Sequence, residues 1–210
     1  MPVLRGAVTF ARFRVETGKL PQPTRRWLAR GLARGAFRPI DVKRGEDDRS
    51  AGFVALEDPG STDFAAGGLE RGHALFAWRV DTIRVKAAAV RAELERWAAA
   101  FEAEHRRPPA RGEKATARDQ IRHGLRQRQE PTTRTFDVSW SLETGELLVW
   151  AAASKVVEEA SAAIEAAFEV KLSPRSVSAQ AVGAGIAEDA LAPTAELVGL
   201  SREEVRHGEG

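Results

Sequence analysis

Between residues 4 and 15 apolar side chains alternate with polar ones, first on even positions (Leu4, Val8, Phe10) and then on odd ones (Phe13, Val15). A period of two predicts a strand, and the change of phase near Ala11 predicts a bulge within it. After Pro21 and Pro23 the spacing becomes helical. Over 24–36, Trp27, Leu28 and Leu32 fall on one side, with Arg25, Arg26, Arg30 and Arg34 around the rest, which predicts a basic amphipathic helix. Residues 43–68 are rich in Gly, Asp and Ser around an apolar island at 53–56, predicting a brief strand between two loops. Alternation returns over 74–85, where Phe76, Trp78 and Val80 give way to Ile83 and Val85.

The clearest helical pattern follows at 86–107. There Val90, Leu94, Trp97 and Phe101 lie within about 60° of one another at roughly 100° per residue, and Pro108 and Pro109 end the run. Residues 111–128 predict another helix. Phe136, Val138, Trp140 and Leu142 then alternate with Asp137, Ser139 and Ser141, turn through Glu143-Thr144-Gly145, and return as 147–150, the pattern of a hairpin. Ser154 is placed to cap a helix at 154–168 with a stripe of Val156, Ala160, Ala163 and Ala167 and with Glu158 and Glu159 toward its positive end. A short strand at 169–172 follows. Beyond Pro174 small residues dominate, and only 194–200 predicts a short helix.

These elements predict an α+β fold of antiparallel strands backed by helices 24–36, 86–107 and 154–168, in one region spanning 1–178 with a weakly structured segment at 179–210. An echo between helix 24–36 running into Gly35-Ala36-Phe37 and helix 154–168 running into Ala166-Ala167-Phe168 raises the reading of two related sheet-plus-helix halves, 1–85 and 86–178.

Charge sharpens this picture. Residues 1–44 hold eleven Lys/Arg against two acids and residues 105–134 hold nine against three, whereas 45–70 carry one arginine against seven acids and 135–210 five basic against thirteen acidic groups. Such polarity points to an anionic partner and to self-complementary association as a homodimer. The longest apolar run, near 147–153, is far short of the roughly 20 residues of a membrane span. Arginines interrupt the amino terminus where a secretory leader would be apolar, and the chain has no cysteine. Both features point to the cytoplasm.

Candidate chemistry concentrates at 111–128. Arg111, Arg118, Arg122 and Arg126 share one face of the predicted helix beside Ile121 and Leu125, with Lys114 and Arg128 nearby. Guanidinium forks fit phosphate oxygens, and neutralised phosphates release counterions, the main source of non-specific DNA affinity. Arg25, Arg26, Arg30 and Arg34 form a second basic set. The plain alternative for either set is a solvated face whose arginine stems cover the core edge. Gln120 and Gln127 fall away from the ridge, so base-edge readout is not expected. The five tryptophans fit core positions better than base-stacking ones. His73, His105, His123 and His207 lack metal-ligand spacing, and Gly183-Ala184-Gly185 has Glu188 where a dinucleotide fingerprint needs its third glycine. Neither a catalytic site nor a metal or cofactor site is expected.

The stretch 79–168 carries a family resemblance. In it the charged strand RVDTIRV leads into a helix rich in Ala and Glu, then a linker with Gly112-Glu113-Lys114, the basic helix, and a hairpin whose turn holds Thr144-Gly145. This arrangement resembles the amino-terminal and central parts of the RdgC family of recombination-associated proteins, over 4–178, and the chain reads as a short form without the family's usual carboxyl-terminal region. The resemblance implies a nucleoid-associated, dimeric DNA-binding protein with little sequence preference that restrains the RecA recombinase. Duplex DNA is the favoured ligand. Two other readings stay open: an interaction module whose basic face docks an acidic protein such as a recombinase or a phage factor, and a hydrolase whose metal site the sequence does not display.

Overall fold

A computed structural model of the chain describes residues 9–16, 24–43, 47–65, 68–176 and 181–187. Its elements run β1 (Ala11–Glu16), α1 (Arg25–Arg34), β2 (Arg49–Val54), β3 (Leu69–Glu70), β4 (His73–Thr82), α2 (Ala87–His105), α3 (Arg111–Arg126), β5 (Thr132–Ser141), β6 (Glu146–Val149), α4 (Ser154–Phe168) and β7 (Lys171–Pro174). The fold is α+β. The strands form one sheet in the order β2-β4-β5-β6-β1-β7, with β3 beside the start of β4, and all these pairings are antiparallel. Because β1 lies between β6 and β7, the stretches 1–85 and 86–178 are interleaved in this sheet.

The β4–β5 pair is its spine, in register from His73↔Ser141 to Thr82↔Thr132. Alternation sends Phe76, Trp78, Val80, Val138, Trp140, Leu147, Val149, Phe13 and Val15 to one face, where α1 and α4 cover them. Thr24 Oγ1 accepts from the Trp27 amide at 3.1 Å and starts α1. Trp27, Trp140 and Phe168 then meet at ring-centroid distances of 5.1–5.7 Å, joining α1, the sheet and α4. Gly31 permits this closeness, since a Cβ there would stand 2.2 Å from the Phe168 ring. On the other face Phe37, Val54 and Ala77 make a smaller apolar cluster. Phe37 arrives there because the chain after α1 hydrogen-bonds to β2, donating from its amide to Phe53 O while the Phe53 amide donates to Gly35 O.

Several expectations change. Of the island at 53–56 only Phe53 and Val54 are in a strand, β2, which instead extends back to Arg49 and whose polar half (Arg49, Ser50) is held by pairing with β4. Ser154 is the first helical residue of α4 and makes no side-chain cap, and the buried stripe of α4 contains Ile164 in place of Ala163. In β1, Ala11, Phe13 and Val15 keep one phase, and the part of the expected strand over 4–8 lies outside the described residues. The last strand is shifted to Lys171–Pro174, after Glu169 closes α4 in the left-handed conformation. Of segment 179–210 only 181–187 are described, and the helix expected at 194–200 lies outside them.

The largest change concerns α2. It does not back the sheet: none of its residues is buried, and its stripe of Val90, Leu94, Trp97 and Phe101 is half-buried against α3. Topology supplies the reason. The chain leaves the sheet at Thr82 and re-enters at Thr132, which are paired neighbours, so the insertion must go out and come back. Two antiparallel helices of 19 and 16 residues, about 28 and 24 Å long, do so while covering each other's apolar stripes. No described helix is long and apolar enough to cross a membrane.

Candidate nucleic-acid interface

The α2–α3 pair forms an arm whose outer turn is tightly specified. Arg106 ends α2 in the left-handed conformation, at φ 54°. Arg107 then donates a double fork to Glu113, at 2.9 and 2.8 Å, while the Ala110 amide donates to Glu113 Oε2 at 2.7 Å. Ala110 has no side chain able to cap α3, so Glu113 alone supplies the polar cap. The Arg107 guanidinium and this amide hold the Glu113 carboxyl down to about 2. Phe101 packs between Trp97 (centroids 5.3 Å apart) and His105 (4.1 Å, nearly parallel), and the Arg107 guanidinium lies 5.0 Å from its centroid. Trp97 is therefore part of the arm, not of the sheet core.

The predicted cations of α3 separate into two groups. Arg111, Lys114, Arg118 and Arg122 are exposed and form no ion pair with any described residue, as does Arg128 just beyond the helix. The acid of the first turn, Glu113, is occupied by Arg107. From Arg111 to Arg122 the free cations extend over roughly 17 Å of helix. Arg126 differs: its residue is 6% exposed, and each of its three guanidinium nitrogens donates a hydrogen bond. Nε donates to Asp48 Oδ1 at 2.7 Å, Nη1 to Val42 O at 3.0 Å and Nη2 to Asp47 O at 2.6 Å. It is therefore removed from the ridge that the helical wheel drew. Sequence spacing could not show this, because the acceptors come from about eighty residues upstream.

The α1 set is less open. Arg34 is tied to Ala167 O at 3.0 Å and to Glu169 at 2.6 Å at the carboxyl end of α4. Arg25 stands 4.0 Å from Glu70. Arg26 and Arg30 are exposed without an ion pair to a described residue. The two basic sets sit on different supports, α1 on the sheet beside α4 and α3 on α2. Arg106, exposed at the outer turn and without an ion pair to a described residue, joins the α3 set. It was recognisable in sequence only as one more arginine beyond a helix end.

Buried polar groups elsewhere are structural. Arg79 forks onto Asp81 at 2.8 and 2.7 Å, reaches Pro59 O at 2.9 Å, and lies 4.3 Å from the Phe37 ring centroid. Burial of Asp81 is outweighed by this fork and by the Thr133 hydroxyl, which lower its pKa. Asp137 is 7% exposed with Oδ2 unpartnered, and burial raises its pKa. Trp78 and Trp140 are buried, as the alternation predicted, and Trp27 packs against Trp140 from the apolar side of α1. Trp150 instead donates to Ser139 Oγ at 3.1 Å and packs on Phe10 at 5.1 Å. Among the described residues no three His, Asp or Glu side chains gather as metal ligands.

No curated protein matches the sequence. The family model described as "Putative exonuclease, RdgC" matches residues 12–183 of the 210. That match spans the sheet, both covering helices and the whole arm, and on it the chain belongs to the RdgC family.

Proposed function

We propose that the chain is a non-enzymatic, largely sequence-independent DNA-binding protein that acts in recombination or replication, as a homodimer on duplex DNA, by limiting access of a RecA-type recombinase. The carrying observation is the row of exposed cations on α3, Arg111, Lys114, Arg118 and Arg122, none of them ion-paired to a described residue, on an arm packed mainly on itself. About 17 Å of helix faces about ten duplex phosphates at one charge per roughly 1.7 Å of axis, so four long side chains have ample partners. Arg106 and Arg128 add charge at the two ends of this row, and Arg26 and Arg30 form a separate exposed basic pair on α1. Gln127 donates to Lys43 O at 3.1 Å, which leaves this set dominated by charge and poor in base-reading groups. Membership of the RdgC family supports the reading, and the nucleoid is its expected place of action.

Titration of random-sequence duplex DNA at several salt concentrations, with solution mass measured free and bound, tests it. Steeply salt-dependent binding of a dimer is expected. Nuclease-resistant capture of an acidic protein with negligible DNA affinity would favour the interaction-module reading. Cleavage of plasmid DNA with magnesium or manganese would overturn the non-enzymatic one.

A further inference from the structure

Both roots of the arm are fastened to one stretch of chain. On the α2 side, the amide of the buried Ile83 donates to Asp48 O at 2.8 Å. On the α3 side, Arg126 donates to Asp48 Oδ1, Val42 O and Asp47 O, and Gln127 adds Lys43 O. Asp48 thus holds one root through its backbone and the other through its carboxylate. Apart from these bonds the arm's helices pack mainly on each other. A guanidinium offers donors in a fixed planar fork, so the Arg126 bonds define a direction as well as a distance. A lysine ammonium at the same place cannot reach three acceptors arranged for a fork.

We propose that Val42, Lys43, Asp47, Asp48 and Arg126 form a clasp that fixes the pitch of the arm on the sheet, making Arg126 a positioning residue for the DNA-facing cations and not a phosphate contact. In its DNA consequence the proposal rests on the function just proposed; the clasp itself does not. Removing the clasp leaves Arg111, Lys114, Arg118 and Arg122 intact and leaves their alignment to be fixed on binding. The number of phosphates neutralised stays the same while affinity falls.

The chain has no cysteine, so a spin-label pair on Ala99→Cys of α2 and Ala166→Cys of α4, both exposed positions, reports arm-to-body distance without DNA. The clasp predicts a narrow distribution in the parent and a broad one in Arg126→Ala, Arg126→Lys and Asp48→Ala. It also predicts that Arg126→Ala weakens duplex binding about fivefold, the scale of lost preorganisation, with the log–log salt slope unchanged. Asp48→Ala is the sharper variant and serves if Arg126→Ala does not fold. Removing an acid from a DNA-binding protein raises affinity by simple electrostatics, whereas loss of the clasp lowers it. The proposal is overturned by an unchanged distance distribution, or by a slope that falls by about 0.9 in Arg126→Ala and is restored in Arg126→Lys. If the parent binds no DNA, the proposed function falls, and the distance distributions still decide the clasp.

Discussion

Gly52 lies in β2 on the face opposite the main helices, and the chain that follows α1 crosses directly over it. A Cβ at this position would stand 2.4 Å from Phe37 Cα, 2.5 Å from Phe37 N and 2.9 Å from Ala36 C. The obstacle is backbone, so no rotamer change relieves it. Gly52→Ala must therefore push residues 36–37 off the sheet edge. Two backbone hydrogen bonds weaken, Phe37 N to Phe53 O and Phe53 N to Gly35 O, both 2.9 Å, at about 1 kcal/mol each. Phe37, 6% exposed, loses part of a burial worth roughly 1.5–3 kcal/mol. The backbone-entropy gain of replacing glycine in a strand returns about 0.5–1 kcal/mol. The expected net loss is about 2–4 kcal/mol, read as a lower urea midpoint at unchanged m-value, with faster amide exchange at Phe37 and Phe53. Stability within about 0.5 kcal/mol of the parent would show that 36–37 does not approach Gly52 as described. Residues 38–43 lead from Phe37 to the clasp, so the same variant should also loosen the arm.

Three further outcomes follow from local geometry. Glu113, held at about 2 by Arg107 and the Ala110 amide, stabilises the arm's outer turn fully above the ordinary glutamate range near 4.3. That contribution fades as pH falls toward about 2; carbon-detected titration should show the low midpoint, and Arg107→Ala should return it toward the ordinary value. Asp137 has its pKa raised by burial, so its effect on stability is most favourable where it is protonated and declines as pH rises from about 3.9 through its folded value. Asp137→Asn should therefore raise the urea midpoint at pH 7 and not at pH 3, and a lower midpoint at pH 7 would contradict this. Leu94→Ala, on the half-buried stripe of α2, should speed amide exchange across α2 and α3 while β4 and β5 keep their protection; faster exchange throughout would tie the arm to the sheet's global stability.

Strong periodicity was legible in the sequence, and its destination was not. Trp140 and Val138 alternate with Ser139 and Ser141, and the hairpin they predict forms with Gly145 at φ 72° in its turn. Helix α2 was equally clear as a helix. Its stripe could not say whether a sheet or another helix would cover it, since both accept the same residues; the pairing of Thr82 with Thr132 decided that. Arg49, Ser50 and Gly52 carry little strand propensity, and β2 gains its length from β4. Arg126 is indistinguishable from Arg122 on a helical wheel, and only the meeting of α3 with Val42, Asp47 and Asp48 separates an anchor from a free cation. The α1 arginines divide the same way, Arg34 being tied at the end of α4 while Arg26 and Arg30 remain open.

Whether α3 presents cations to DNA phosphates is decided by the salt dependence of duplex binding in an Arg111/Arg118/Arg122 triple alanine variant. Each phosphate contact contributes about 0.9 to the log–log slope, so the expected slope is shallower than the parent's by up to about 2.7, and by at least about 0.9. A slope equal to the parent's, in a variant with unperturbed circular dichroism, would contradict it and remove α3 from the interface.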